Sequence, residues 1–116
     1  MNEILEQALL YDFYGELLTN HQKNIYEQFI QEDLSLSEIG VNEGISRQGV
    51  HDLIKRCNKI LEEYEAKLHL VEKFLFIKAR LTKMNELIEA EMSVQESTSE
   101  WMKDMKRISS EIIEEL

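Results

Sequence analysis

Ser35-Leu36-Ser37-Glu38-Ile39-Gly40-Val41-Asn42-Glu43-Gly44-Ile45-Ser46-Arg47-Gln48-Gly49-Val50-His51-Asp52-Leu53-Ile54-Lys55-Arg56 is the stretch that decides the fold. Ser35 and Glu38 have the Ser-x-x-Glu spacing of a capping box, so a helix starts near residue 36. It must close near Asn42-Glu43-Gly44, because a glycine past a helix end supplies the left-handed conformation that terminates it. Ser46 is a natural N-cap for a second helix that begins at once. The apolar stripe of that helix is Val50, Ile54, Cys57, Leu61 and Tyr64, flanked by Leu53 and Ile60. A short helix, a glycine turn and a second helix make a helix-turn-helix. Gly40 gives the small residue needed where the two helices cross closely, and Ile45, Val50 and Leu53 give the inner face.

The rest of the chain agrees with an all-α protein. It has 116 residues with no proline and four glycines, so little interrupts helix formation. Apolar residues at helical spacing predict a first helix over residues 2–18. Thr19 and Gln22 form another capping box, which starts a second helix over residues 20–31. Glu32-Asp33-Leu34 then connects to the stretch above. Beyond it, Leu70, Phe74, Ile77, Leu81, Met84 and Ile88 follow a 4-3-4-3-4 spacing, a coiled-coil-like seam. Residues 93–99 are polar and read as a loop. Trp101, Met105, Ile108 and Ile112 form a last amphipathic stripe. The expected domains are a helix-turn-helix domain over residues 1–67 and a helical extension for packing or dimerisation over 68–116.

Charge singles out one surface. The chain carries 13 Lys+Arg against 23 Asp+Glu, a net charge of −10. Between Ser46 and Ile60 the sign inverts, with four basic residues and one acid giving +3. The outward residues there are Arg47, Gln48, His51, Asp52, Lys55 and Lys59, with Arg56 at the flank. Arginine can contact guanine bidentately and glutamine adenine, so Arg47, Gln48 and His51, early in the helix, are the candidates for base edges. Lys55, Arg56 and Lys59 lie further along and suit phosphates, which set position rather than sequence. Ser46 can both cap the helix and meet a phosphate.

Other classes find little support. His21, His51, His69 and Cys57 have no metal-ligand spacing, and no glycine is followed by the Lys-Ser/Thr of a phosphate loop. No enzyme, metal or cofactor is expected. No apolar run spans a bilayer, Glu3 and Glu6 stand where a signal peptide wants positive charge, and the single cysteine suits a reducing compartment. The cytoplasm is the expected location.

Leu18-Thr19 with Gln22, Ser35-Leu36-Ser37-Glu38-Ile39, Ile45-Ser46-Arg47-Gln48-Gly49-Val50 and Ile54-Lys55-Arg56 resemble the helix-turn-helix of region 4 of bacterial sigma factors. Tyr11-Asp12-Phe13-Tyr14 upstream, and Leu61-Glu62-Glu63-Tyr64-Glu65 with Lys67-Leu68 downstream, make the run closer still to the YlxM family of small bacterial proteins. The resemblance covers about residues 9–70. It implies a DNA-binding fold and a regulatory or accessory part in the signal recognition particle pathway. Glu43 departs from the pattern, which places a large apolar residue before the turn; Val41 is its expected partial replacement.

Two alternatives stay open in the sequence. The apolar faces after residue 70 suit a protein-interaction module, including a homodimer through the C-terminal helices. The same basic helix suits structured RNA, which proteins read by shape and backbone.

Overall fold

Both capping boxes form. Thr19 Oγ1 accepts the Gln22 N–H at 3.1 Å while Gln22 Oε1 accepts the Thr19 N–H at 3.0 Å. Ser35 and Glu38 exchange the same two bonds, each at 3.1 Å. These caps satisfy N–H groups that a helix start leaves without partners. The computed structural model describes residues 3–94 and 99–116, and its regular elements are helical. They are α1 (Glu3–Tyr14), α2 (Asn20–Ile30), α3 (Leu36–Glu43), α4 (Arg47–Leu68), α5 (Leu70–Val94) and α6 (Glu100–Glu115). A 3₁₀ turn, Gly15–Leu17, separates α1 from α2.

That turn corrects the expected first helix over residues 2–18. Leu18 is extended (φ −80°, ψ 157°) to set up the Thr19 cap, and its N–H closes the turn on Gly15 O at 3.0 Å. The Tyr11 ring also packs where a Gly15 Cβ would stand, 2.7 Å away, so only glycine fits. The chain turns there to bring α2 back across α1.

The chain forms two compact units, Met1–Val71 and Glu72–Leu116. In the first, α1 to α4 close around Tyr11, Tyr14, Leu18, Ile25, Tyr26, Ile39, Val50, Ile54, Cys57 and Leu61, with Val71 from the start of α5. The stripe anticipated on α4 is this core's floor. Its aromatic members keep their hydroxyls satisfied, as burial demands. Tyr11 donates to Glu27, Tyr26 to Asn58, and Tyr14 to Glu65. Burial, reinforced by Glu27, pushes the Tyr11 hydroxyl well above its ordinary pKa, and burial does the same to Tyr26.

The break between α4 and α5 is one residue wide. His69 adopts the left-handed conformation (φ 56°, ψ 28°), returning its N–H to Glu65 O at 2.9 Å. Two side chains then cap the new helix: Tyr14 Oη accepts the Leu70 N–H at 3.2 Å and Glu65 Oε1 accepts the Val71 N–H at 3.0 Å. The Tyr14 and Glu65 ends of the upstream and downstream motifs therefore meet each other.

The second unit is an antiparallel pair. Lys106 reaches Glu89 at 3.1 Å, and Asn85 Nδ2 donates to Ser110 Oγ at 3.5 Å. Ile88 and Met102 are its buried apolar side chains, with Ser109 buried beside them. This revises both expected stripes. Of the 4-3-4-3-4 seam, Ile77 and Met84 stay exposed, while Leu81 and Ile88 turn inward with Asn85 and Met92. On α6 the Trp101–Ile112 stripe is exposed, and the helix packs instead through Met102, Ser109 and Ile113. Helix α5 also runs through Ser93 and Val94, shortening the expected 93–99 loop; residues 95–98 of that loop lie outside the described residues.

Candidate nucleic-acid interface

The turn between α3 and α4 is built by three backbone choices. Gly44 takes the left-handed conformation (φ 70°, ψ 31°) and returns its N–H to Gly40 O. Ile45 sends its N–H to the same oxygen at 3.0 Å. Ser46 then caps α4, its Oγ accepting the Gly49 N–H at 3.0 Å. Gly40 sits at the tightest point of the crossing: a Cβ there would lie 2.7 Å from Ile45 O. Ile45 itself, expected on the inner face, is 37% exposed and forms the rim of the turn.

Glu43 also finds its physical account here. Its Oε1 accepts from Asn24 Nδ2 at 2.8 Å and from Gln28 Nε2 at 2.7 Å, and Asn42 Nδ2 donates to Gln28 Oε1 at 3.2 Å. Gln28 is buried. A polar tie between α2 and α3 thus replaces the apolar packing usual before such a turn. Val41 takes no part in it, being 83% exposed.

On α4 the inner positions Val50, Ile54, Cys57 and Leu61 are buried, and Ser46, Arg47, Gln48, His51, Lys55, Arg56 and Lys59 are all exposed. Every candidate contact residue therefore lies on solvent-facing surface of one helix. Among the described residues, none of Arg47, Lys55, Arg56 and Lys59 is held in an ion pair. Lys55, Arg56 and Lys59 line a shallow depression with Asp52, Asn58 and Glu62.

Two features escape sequence reasoning. Asp52, the single acid of the basic stretch, accepts from Gln48 Nε2 at 3.0 Å and lies 3.4 Å from His51 Nδ1. It therefore orients two candidate base-reading side chains in the free protein. The Gln48–Asp52 spacing of four was the available signal. The second feature is a depression where Arg56, Asp52 and Leu53 meet Thr19, His21 and Gln22. It puts residues at the start of α2 and Arg56 on the rim of one depression. Separation in sequence hid that pairing.

Cys57 is fully buried, and burial pushes its thiol up to about 11 against a small opposing pull from Arg56. The nucleophilic thiolate is thereby suppressed. No group of His, Cys, Asp and Glu arranged to hold a metal ion occurs among the described residues, and no helix among them is long and apolar enough to cross a membrane.

The chain matches, over residues 1–105, the model of a protein family described as "UPF0122: Putative helix-turn-helix protein, YlxM / p13 like". It is 41% identical to a UPF0122 protein of Acetivibrio thermocellus, across 98% of this chain and 97% of the relative. It is 42% identical to a UPF0122 protein of a Thermoanaerobacter species, across 97% and 96%. With a UPF0122 protein of Caldanaerobacter subterraneus the identity is 46%, across 75% and 74%.

Proposed function

This chain belongs to the UPF0122 family, and we propose that it is a non-catalytic, cytoplasmic regulatory protein that binds duplex nucleic acid through the exposed face of α4. The observation that carries the proposal is the charge inversion: +3 over Ser46–Ile60, on one solvent-facing surface, in a molecule of −10. Electrostatic attraction to phosphates supplies much of the affinity in such interfaces. A chain this acidic concentrates it where the cations are free and the turn geometry presents a helix to a groove. Arg47, Gln48 and His51 read base edges; Ser46, Lys55, Arg56 and Lys59 hold phosphates, with the start of α2, on the same rim as Arg56, as a further anchor. Duplex DNA is the favoured ligand, because the helix-turn-helix fits a major groove that A-form RNA closes to side chains. The resemblance to the YlxM family supports a part for this binding in the signal recognition particle pathway.

Fluorescence anisotropy of the full chain against promoter-like duplex DNA and signal recognition particle RNA tests the proposal. Binding to the DNA that weakens at least tenfold when Lys55 and Arg56 become alanine is the expected result. Binding to the RNA alone would move the same surface to structured RNA. No binding to either at low salt would leave α4 as a scaffold and overturn the reading.

A further inference from the structure

The pairing of α5 and α6 leaves one side of the second unit open. One residue of helix advances about 100° around its axis. On α5 the residues facing α6 are Leu81, Asn85, Ile88 and Met92, while Ile77, Met84, Leu87 and Val94 are exposed on a stripe that lies about 50° to about 150° behind them. On α6 the inward residues are Met102, Ser109 and Ile113, and Trp101, Met105, Ile108 and Ile112 are exposed about a quarter turn behind those. Both free stripes lie in the same rotational sense along their own helices. In an antiparallel pair, that sense puts them on the same side. The register set by Lys106–Glu89 and Asn85–Ser110 brings Leu87 level with Ile108, and Val94 level with Trp101. The result is a largely apolar face two helices wide, with Trp101 60% and Leu87 59% exposed and with Arg80 and Glu91 standing within its α5 stripe. The seam it accompanies is thin, and Asn85 Oδ1, Ser99 Oγ and Ser109 Oγ are buried there without hydrogen-bond partners among the described residues.

We propose that this face binds a second copy of the chain, closing a four-helix bundle. The charges favour that occupant. Where the two helices run side by side, residues 80–87 of α5 carry +1 and residues 88–94 carry −2; residues 100–107 of α6 carry +1 and residues 108–115 carry −3. In the register of Lys106–Glu89 and Asn85–Ser110, the net-positive residues 80–87 lie level with the acidic residues 108–115. Two such faces stacked about a two-fold axis along the helices set each net-positive stretch against a net-negative stretch of the other copy. A two-fold axis across them does the same by reversing α5 on α5 and α6 on α6. The surface is self-complementary in charge as well as apolar, which an isologous interface requires. Two antiparallel hairpins stacked on their apolar faces are a standard bundle architecture. This proposal does not rest on the nucleic-acid reading.

Sedimentation equilibrium of the full chain tests it. The wild type should run at twice the 13.7 kDa chain mass, and Ile108→Glu or Leu87→Glu should return it to the chain mass. Arg80→Glu reverses a charge on the exposed α5 stripe, next to Phe76, without touching the α5–α6 seam. It should weaken the dimer about tenfold at low salt, with the difference shrinking as salt rises. A wild type that stays at the chain mass at every concentration would overturn the proposal, as would a dimer that survives both Ile108→Glu and Leu87→Glu.

Discussion

Glu43 shows how one side chain can break a sequence pattern and still hold the structure. With Oε1 shared between Asn24 and Gln28, it accepts from a buried amide whose other Nε2 bond goes to Asn24 O at 3.3 Å. Glu43→Ala should therefore destabilise the first unit by about 1–3 kcal/mol, the usual worth of hydrogen bonds to a charged group, read as a lowered Tm. Gly40→Ala should cost a similar amount, about 1–3 kcal/mol, because the Cβ meets backbone that cannot rotate away. Cys57 makes a pH prediction. Its folded pKa is raised by burial to about 11, above the ordinary thiol value of 9.0. The unfolded state thus loses its proton first as pH rises. The stabilisation is complete below about pH 9 and declines up to about pH 11, with Tyr11 and Tyr26 adding to the same trend at higher pH. Alkaline melts of the wild type and Cys57→Ala should converge above that window; parallel curves would contradict the assignment.

Among the elements, the joint between α4 and α5 carries the sharpest consequence. Tyr14 Oη gives its proton to Glu65 and takes the Leu70 N–H, so one hydroxyl links α1, α4 and the first turn of α5. Tyr14→Phe removes both bonds while keeping the ring that packs on Tyr64, 6.0 Å between centroids. It should cost about 1–3 kcal/mol and speed amide exchange at Leu70 and Val71 before elsewhere in the unit. Helix α4 holds a second element-level prediction. Asp52→Asn removes the negative charge facing Gln48 and His51, so affinity for nucleic acid should rise for all sequences while preference between them falls. Comparing a preferred duplex with a scrambled one separates those two effects.

Across the molecule, legibility followed the range of the interactions involved. The capping boxes, the Gly44 turn and the α4 stripe were readable because each is set by residues within four positions of one another. The end of α1 was misplaced because Gly15 answers to a Tyr11 ring and to the geometry that Thr19 demands. The second unit was read least well. Seven-residue spacing marks a helix as having an apolar face but does not say which edge of that face a neighbour takes, so Ile77 and Met84 were grouped with Ile88. Of the site, the seven candidates on α4 came from local charge, and the structure leaves them all exposed. Asp52's grip on Gln48 and the depression shared by α2 and Arg56 depend on rotamer and tertiary placement.

The central claim is that the basic face of α4 meets phosphates while its first turn reads bases, and the salt dependence of binding tests it most directly. Each phosphate contact contributes about −0.9 to the slope of log affinity against log salt on duplex DNA. Replacing Lys55, Arg56 and Lys59 by alanine should flatten the slope by about 2 to 3. Replacing Arg47 and Gln48 should leave it nearly unchanged while erasing the preference between duplexes. If both sets of substitutions flatten the slope equally, or neither does, α4 does not divide its work as the account requires.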